Sequence, residues 1–471
     1  MKVTLSWLKE YVDITLSIQE LAHTLTMSGL EVESVEEVAR PFSGIVVSRI
    51  LSCEPHPRAD KLQVCQVDAG RGEPQRVVCG APNARAGMLA PLALPGARLG
   101  ELTVELREIR GLLSSGMLCS EVELGLTERG EGVMVLDECA KPGQDLNEWL
   151  GGTDYVIDIF ITPNRPDCLS VIGLAREIAA ATRVPLHIPA ASIKTSAAGE
   201  AHGISVAIAT PDLCPRYSGR ALENIRIAPS PFWMAYRLHH AGMRAINNIV
   251  DITNYSMLEN GHPLHAFDAS RIEGRRILVR RAQAGERFTT LDGKEHQLEA
   301  DTCLICDGAR PVALAGIMGG LNSEVEAETR TLFLESAYFE PTGIRKSSKR
   351  LGISTESSKR FERGADPNGT LYALDRAASL IMELAGARPA GEAVDVYPAP
   401  IAPALIDLSL DHVNRLIGTE LTATEAERIL TSLEIACGHT STGSISCKVP
   451  TFRPDLTRPV DLIEEIGRAH V

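Results

Sequence analysis

The chain has 471 residues, of which 47 are Lys or Arg and 61 are Asp or Glu, giving a formal net charge of −14. That length predicts roughly three domains at about 150 residues each, and 44% hydrophobic with 23% charged residues supplies enough apolar matter for packed cores, which excludes wholesale disorder. Net acidity argues against non-specific nucleic-acid binding over the whole surface, and neither a run of about 18 apolar residues nor a secretory leader is present, so the chain reads as cytoplasmic, with no membrane partner.

The first 39 residues read as a small α/β unit: a strand at Lys2 to Leu5, a helix through Trp7, Leu8 and Tyr11, and helical spacing from Ile18 to Leu30. From about Pro41 the texture changes to short strands such as GIVVSRIL, LQVCQVD, RVVCG and APLALPGARL. Short strands punctuated by Gly and Pro predict a small all-β barrel up to about Leu150. Helical spacing returns at Ser170 to Thr182, so the barrel is read as an insertion within the N-terminal unit. An Ala-rich stretch from Ile188 to His202 reads as a linker, and a larger mixed α/β region runs to about Asp395. Beyond the Pro-punctuated VYPAPIAPA, Thr422 and Glu425 form a capping box that opens a new helix. The expected fold class is therefore α+β multidomain. Residues 1–39 with 151–190 form the N-terminal domain, 40–150 the inserted barrel, 200–395 the large mixed domain, and 401–471 the start of a small helical and β domain. Near the end, Leu462, Ile463 and Ile466 have just begun an apolar helix face, which suggests a chain that continues further. Residues Glu465 to Val471 (EIGRAHV) also match what a common sequencing adapter would encode.

Eleven cysteines are too few for a disulfide scaffold in a chain of this length. Cys303 and Cys306 have CxxC spacing, but no second pair or nearby His completes a metal knuckle, and DTCLICDG reads as a strand and turn. The interval from Arg345 to Arg363 holds seven positive residues against two negative ones (Glu356 and Glu362). It is either a polyanion contact or an ordinary solvated face.

Three blocks punctuate the barrel: HPRADKL at His56 to Leu62, CGAPN at Cys79 to Asn83, and SGMLCS at Ser115 to Ser120. In this order they resemble the tRNA-binding OB domain appended to several synthetases, whose first block usually reads HPNADKL; here Arg58 replaces the Asn. The resemblance makes His56, Lys61, Asn83, Ser115 and Met117 candidate tRNA contacts. With 12 basic and 15 acidic residues between 40 and 150, the barrel is no basic clamp, and auxiliary tRNA contact is the safer expectation.

The central region carries RAINNIVDITNY from Arg244, GHPLHAFD from Gly261, AGIMGG from Ala315, LFLESAYF with Glu335, and STESSKRFERGADP from Ser354. Together with TPNRPDCLS at Thr162 to Ser170 and RPDLTRPVDLIEE from Arg453, these blocks resemble the β subunit of bacterial phenylalanyl-tRNA synthetase, in order and over essentially the whole chain. The resemblance implies an α2β2 enzyme whose α subunit activates phenylalanine with ATP and Mg2+. The β chain would contact tRNA(Phe) and edit misattached tyrosine. An apolar pocket rejects an added hydroxyl by only about a hundredfold, so a second site must recognise it positively.

A buried carboxylate can accept a phenolic hydrogen bond that phenylalanine cannot offer. Glu335 interrupts the apolar Leu332, Phe333, Leu334 run and matches the family's reader of the tyrosine hydroxyl. His265 and Arg244 match editing-site positions, as do Thr253 and Asn254, placed to hold a water near the ester carbonyl; Ala315, Gly316 and Ser357 would line the pocket. A water polarised by fixed hydrogen bonds suffices for an activated ester, so no protein nucleophile is demanded.

Asp461, Glu464 and Glu465 fall at helical i, i+3 and i+4, where like charges repel and favour a cation. With Asp455 they match the family's magnesium-associated positions, shared with the α subunit; an acidic helix N-terminus favoured by the dipole is the alternative. KSSKR at Lys346 to Arg350 loosely resembles the class I synthetase lysine loop, but no HIGH-like motif, P-loop, GxGxxG or GxSxG accompanies it. The competing functional reading is a non-catalytic tRNA-binding or scaffold protein.

Overall fold

A computed structural model describes residues 1–38, 42–127, 132–193, 203–439 and 444–470. The boundary expected at 39/40, most of the expected linker (194–202) and Val471 lie outside them. The architecture is mixed α/β. Among the described residues no helix is long and apolar enough to cross a membrane.

The N-terminal segment contributes β1 (Lys2–Thr4), α1 (Ile18–Met27) and β2 (Val32–Val38). Only Leu5–Leu8 turns helically after β1, and Tyr11 lies beyond that turn. A capping box between Ser17 and Glu20 starts α1, satisfying amide donors that no preceding turn can reach. Next come β3 (Ile45–His56), β4 (Ala59–Asp68), β5 (Gln75–Cys79), β6 (Leu89–Ala93) and β7 (Met117–Leu118), and the chain returns through β8 (Asp154–Ile159) and α2 (Val171–Thr182). β8 pairs antiparallel with both β1 and β2, so one sheet draws on both sides of the intervening segment.

The five strands between them form a single sheet in the order β7–β6–β3–β4–β5. No ladder closes it into a barrel among the described residues. β7 is two residues long and its pairing is with β6; across the gap to β5, Ser115 N–H donates to Arg76 O at 2.8 Å and Val78 N–H to Ser114 Oγ at 3.0 Å.

Two further five-stranded sheets follow. β9 (Ser205–Ile208) belongs to one and β10 (Arg216–Glu223) to the other. Then come α3 (Phe232–His240), α4 (Asn248–Asn260), β11 (Leu264–Asp268), β12 (Arg276–Arg281), β13 (Cys303–Cys306), β14 (Pro311–Leu314), β15 (Met318–Gly319) and β16 (Thr331–Tyr338). After these lie α5 (Pro341–Leu351), α6 (Glu356–Arg363), α7 (Thr370–Ala385), β17 (Arg388–Pro389) and β18 (Val394–Val396). The first sheet runs β9–β12–β13–β14–β15; the second runs β11–β16–β10–β17, with β18 also on β10. Cys303 and Cys306 are both buried within β13, as small apolar residues of a core strand.

Strand alternation sorts the second sheet's two faces. Leu222, Leu332, Leu334 and Ala266 point to one side and pack with Leu374, Ala377 and Ile381 of α7, in a core continuous with Trp7, Leu174 and Ile249. Tyr217, Phe267, Phe333 and Ala337 point to the other, with Leu304, Ala313 and Leu314 of the first sheet. The last strands, β19 (Ala404–Leu408), β20 (Ala436–His439) and β21 (Ile445–Val449), pack with α8 (Ala423–Ser432) and α9 (Pro459–His470) around a separate core. The capping box of Thr422 and Glu425 opens α8.

The basic interval divides between solvent and interior. Arg345, Lys346 and Lys349 are exposed on α5, whereas buried Arg360 donates to Leu169 O and Arg363 to Ile161 O. Those carbonyls lie within and just before TPNRPDCLS, whose Arg165 is itself buried and pairs with Asp167 and Glu177. The motif thus ties α6 to the N-terminal sheet.

Gly219 on β10 lies opposite Glu335 on β16, and a Cβ there would stand 2.2 Å from Phe333 Cζ. Gly219→Ala is expected to destabilise the chain by about 1–3 kcal/mol through overpacking, measured by denaturant unfolding. A change within about 0.5 kcal/mol would contradict this packing.

Candidate functional site

In the antiparallel pairing of β11 with β16, His265 stands directly opposite Glu335. Directly opposed residues share a sheet face, so two side chains 70 positions apart in the chain flank one cavity of about 400 Å³. Its wall also takes Thr253 and Asn254 from α4, Gly316 from the turn after β14, and Ser357 from the first turn of α6.

Glu335 is 5% exposed. Burial pushes its carboxyl up to about 8, opposed by the hydrogen bond that Tyr217 donates. Tyr217 is fully buried, and its hydroxyl lies 2.8 Å from Glu335 Oε2. Below about pH 8 this carboxyl is therefore mostly neutral. His265 is shifted in the opposite sense for its charge type: desolvation pushes its imidazole down to about 4, leaving it neutral at pH 7. Its ring lies edge-on to Phe267, with centroids 4.5 Å apart. Gly319 covers the other side, where a Cβ would stand 2.7 Å from His265 Cε1.

The remaining wall is fixed by local hydrogen bonds. Thr253 donates its hydroxyl to Val250 O at 2.7 Å, keeping its lone pairs for another donor. Gly316 has φ +67°, and a Cβ there would approach Phe339, Ile344 and Phe361 within 3.0 Å, so the turn requires glycine. Ser357 donates to Gly316 O at 3.2 Å and Thr355 to Ile317 O at 2.9 Å, clamping the start of α6 against that turn.

Two residues expected here stand apart. Ala315 is buried behind the wall, in the apolar core. Arg244 is exposed on the loop between α3 and α4. The loop gives Met243, Ile246 and Asn247 to the cavity, while Arg244 lines an adjoining depression that shares Met243. Sequence reasoning passed over Tyr217 and Gly319. Gly319 sits within the AGIMGG block, but Tyr217 lies 118 residues from Glu335, and only sheet register brings them together.

The expected tRNA contacts on the five-stranded sheet divide as well. His56 is buried, with Nδ1 accepting from Arg58 N–H at 3.1 Å, and Asn83 binds the Val133 backbone through both its N–H and C=O, so the first organises a turn and the second ties two distant segments together. Lys61 is exposed and Ser115 half-buried. Met117 lines a cleft of about 970 Å³ beside Cys79, Pro82 and Gly116.

Of the four acidic residues near the end of the chain, Asp455 and Glu465 meet on Arg453, while Asp461 and Glu464 pair with other arginines. Asp455 is held bidentately by Arg453, which also binds Glu465. Asp461 accepts from Thr457 N, Arg458 N and the Arg458 side chain, and Glu464 pairs with Arg468. Arranged in this way they do not fit a magnesium site, since guanidinium groups already answer each carboxylate. Among the described residues the one set of three donors close enough to share a metal is Asp167, Cys168 and Glu177, and the Arg165 guanidinium occupies that set.

Three family profiles match the chain: "Putative tRNA binding domain" over 45–145, "B3/4 domain" over 213–386, and "tRNA synthetase B5 domain" over 406–470. The chain is 49% identical over 474 residues to the phenylalanine--tRNA ligase beta subunit of Syntrophus aciditrophicus, covering 100% of this chain and 59% of that protein. It is also 49% identical over 469 residues to the Geobacter metallireducens protein of the same name, covering 99% and 58%. The chain therefore spans somewhat under three fifths of the length of these relatives. A solved N-terminal fragment of the Pyrococcus horikoshii phenylalanyl-tRNA synthetase beta subunit aligns over 100% of this chain and 99% of its own, at 14% identity and a TM-score of 0.43.

An unfolded imidazole titrates near 6.5, and those of His265 and the buried His262 near 4. The unfolded chain therefore binds more protons between these values, and stability should fall as pH drops from about 6.5 towards 4. Titration by NMR is expected to place the His265 midpoint near 4; a midpoint near 6.5 would contradict the desolvated site.

Proposed function

The chain belongs to the phenylalanine--tRNA ligase β-subunit family, and from that premise we propose that its cavity at Glu335 and His265 hydrolyses tyrosine misattached to tRNA(Phe). The observation that carries this reading is the register pairing of an acid and an imidazole at the wall of one cavity. Phenylalanine and tyrosine differ by one hydroxyl, so a selective hydrolase must bind that oxygen. Glu335 can do so in either protonation state, donating as a neutral acid or accepting as a carboxylate. A phenylalanyl group would leave this buried polar atom without its partner, a loss of about 10–100-fold in rate.

In the reaction a water oxygen attacks the ester carbonyl, and the terminal ribose oxygen leaves and takes up a proton. The neutral His265 accepts a hydrogen bond from the water, with Thr253 as a further acceptor and the Asn254 amide as donor to the developing oxyanion. Arg244, on the adjoining depression that shares Met243, would meet the phosphate of the terminal nucleotide.

The domain division follows the same premise: an OB-type tRNA-binding unit at 40–150 inserted in an N-terminal unit formed by 1–39 and 151–190, an editing unit at 200–395, and a small unit from 401. The five-stranded sheet and the profile match over 45–145 support the OB assignment. Aminoacylation with ATP and Mg2+ would belong to the α2β2 assembly, activated by the α subunit. Within this chain Asp455, Asp461, Glu464 and Glu465 each have an arginine partner.

The purified chain is expected to deacylate Tyr-tRNA(Phe) at least tenfold faster than Phe-tRNA(Phe). Glu335→Ala and His265→Ala should each lower the tyrosyl rate by about tenfold or more. A wild-type rate no greater than spontaneous ester hydrolysis would refute editing and leave the non-catalytic tRNA-binding reading.

A further inference from the structure

A glutamate that reads a ligand hydroxyl needs one oxygen free and the other held. On β16, Glu335 presents Oε2 to Tyr217, whose hydroxyl donates at 2.8 Å. No other hydrogen bond reaches either oxygen among the described residues. The geometry of this pair comes from register. Gly219 faces Glu335, and Tyr217, two positions earlier on the same face, faces Ala337. Two small residues thus give the Tyr217 ring room to reach diagonally across the ladder. The ring is fully buried in the core with Phe267 and Phe333, and few torsions remain for it to change.

We propose that Tyr217 is a positioning residue for the hydroxyl-reading acid: it holds Oε2 of Glu335, fixes the plane of the carboxyl, and leaves Oε1 as the single atom offered to a ligand phenol. This inference rests on the reading of the cavity as an editing site for the identity of the ligand, but not for the contact itself. The Tyr217 bond is also a phenol-to-Glu335 contact within the empty chain, of the kind a tyrosyl ligand would make with the other oxygen. Without it, Oε2 would be a buried acceptor lacking a donor, and the carboxyl would turn to seek water or the ligand.

The same contact moderates the acidity of Glu335, opposing the larger upward push of burial. A donor to a carboxylate favours the charged form, and its removal raises the pKa. The other titratable groups facing Glu335 are His265 across β11, Cys214 before β10 and Cys303 on β13, with exposed Glu324 and the Lys359-paired and Arg360-paired Glu356 on the cavity wall. Among the described residues only Tyr217 donates to the acid.

The test reads Glu335 directly, by infrared titration of 13C-carboxyl-labelled chain against the Glu335→Gln difference spectrum, whether or not anything is hydrolysed. The wild type is expected to ionise near pH 8, and Tyr217→Phe about one pH unit higher. Site-specific 3-fluorotyrosine at 217, a stronger donor that keeps the ring, should move the midpoint downward and serves if the Phe variant fails to fold. An unchanged midpoint in either variant would overturn the proposal. In deacylation assays Tyr217→Phe should lose about tenfold of the tyrosyl over phenylalanyl preference, and add no further loss in a Glu335→Gln background. An added loss in that background would show that Tyr217 acts elsewhere. A wild-type chain that hydrolyses nothing but shows the shifted midpoint would refute the editing reading and leave the positioning role supported.

Discussion

Opposed residues of an antiparallel ladder share a face, and a one-residue slip of either strand would turn its side chain to the opposite face and part the pair. The site depends on that constraint. With β11 and β16 in their observed register, His265 and Glu335 meet at the cavity, and the intervening Ala266 and Leu334 enter the core under α7. The apolar alternation that packs the sheet therefore also aims the two polar groups, and neither could be re-aimed alone without exposing leucines or burying an unpaired charge. The cavity wall is correspondingly rigid: Gly319 closes on the imidazole, and Gly316 and Thr355 lock the first turn of α6.

Burial works on the two groups in a consistent direction. Desolvation disfavours charge, so it raises the acid and lowers the base, and both are mostly neutral at pH 7. A neutral imidazole accepts from water, and a neutral acid held at one oxygen can still donate from the other. The cost of burying these groups is offset by the surrounding core and, for Glu335, by the Tyr217 bond. Elsewhere the chain buries charge in pairs. Arg165, Arg360 and Arg453 each bridge separate segments through carboxylates or backbone carbonyls, a use that guanidinium geometry favours over lysine.

Much of this arrangement was legible in the linear order. The blocks around His265, Gly316, Glu335 and Ser357 pointed to one pocket, and the two capping residues of α8 were plain from their spacing. Arg360 and Arg363 read as part of a basic run, because nothing local shows that their partners are carbonyls almost 200 residues away. The acidic cluster at Asp461 to Glu465 was read as repulsive and in want of a cation. Arg458 and Arg468, one helical turn before and after, supply it in this chain, a signal that the same i, i+3 and i+4 spacing contains. His56 and Asn83 lie in blocks that resemble a tRNA-binding loop, yet their hydrogen bonds are spent within the protein, His56 on its own turn and on Ile109 O, Asn83 on Val133. Tyr217 carried no local signal at all, since its role arises only when β10 pairs with β16.

The most direct measurement of the central claim is a crystal structure of the chain bound to a non-hydrolysable tyrosyl amide of adenosine. The phenolic oxygen is expected within hydrogen-bond distance of Glu335 Oε1, with Oε2 still held by Tyr217 and the amide carbonyl beside His265. A ligand seated with its ring away from Glu335, or outside the cavity that His265 and Glu335 share, would contradict the account.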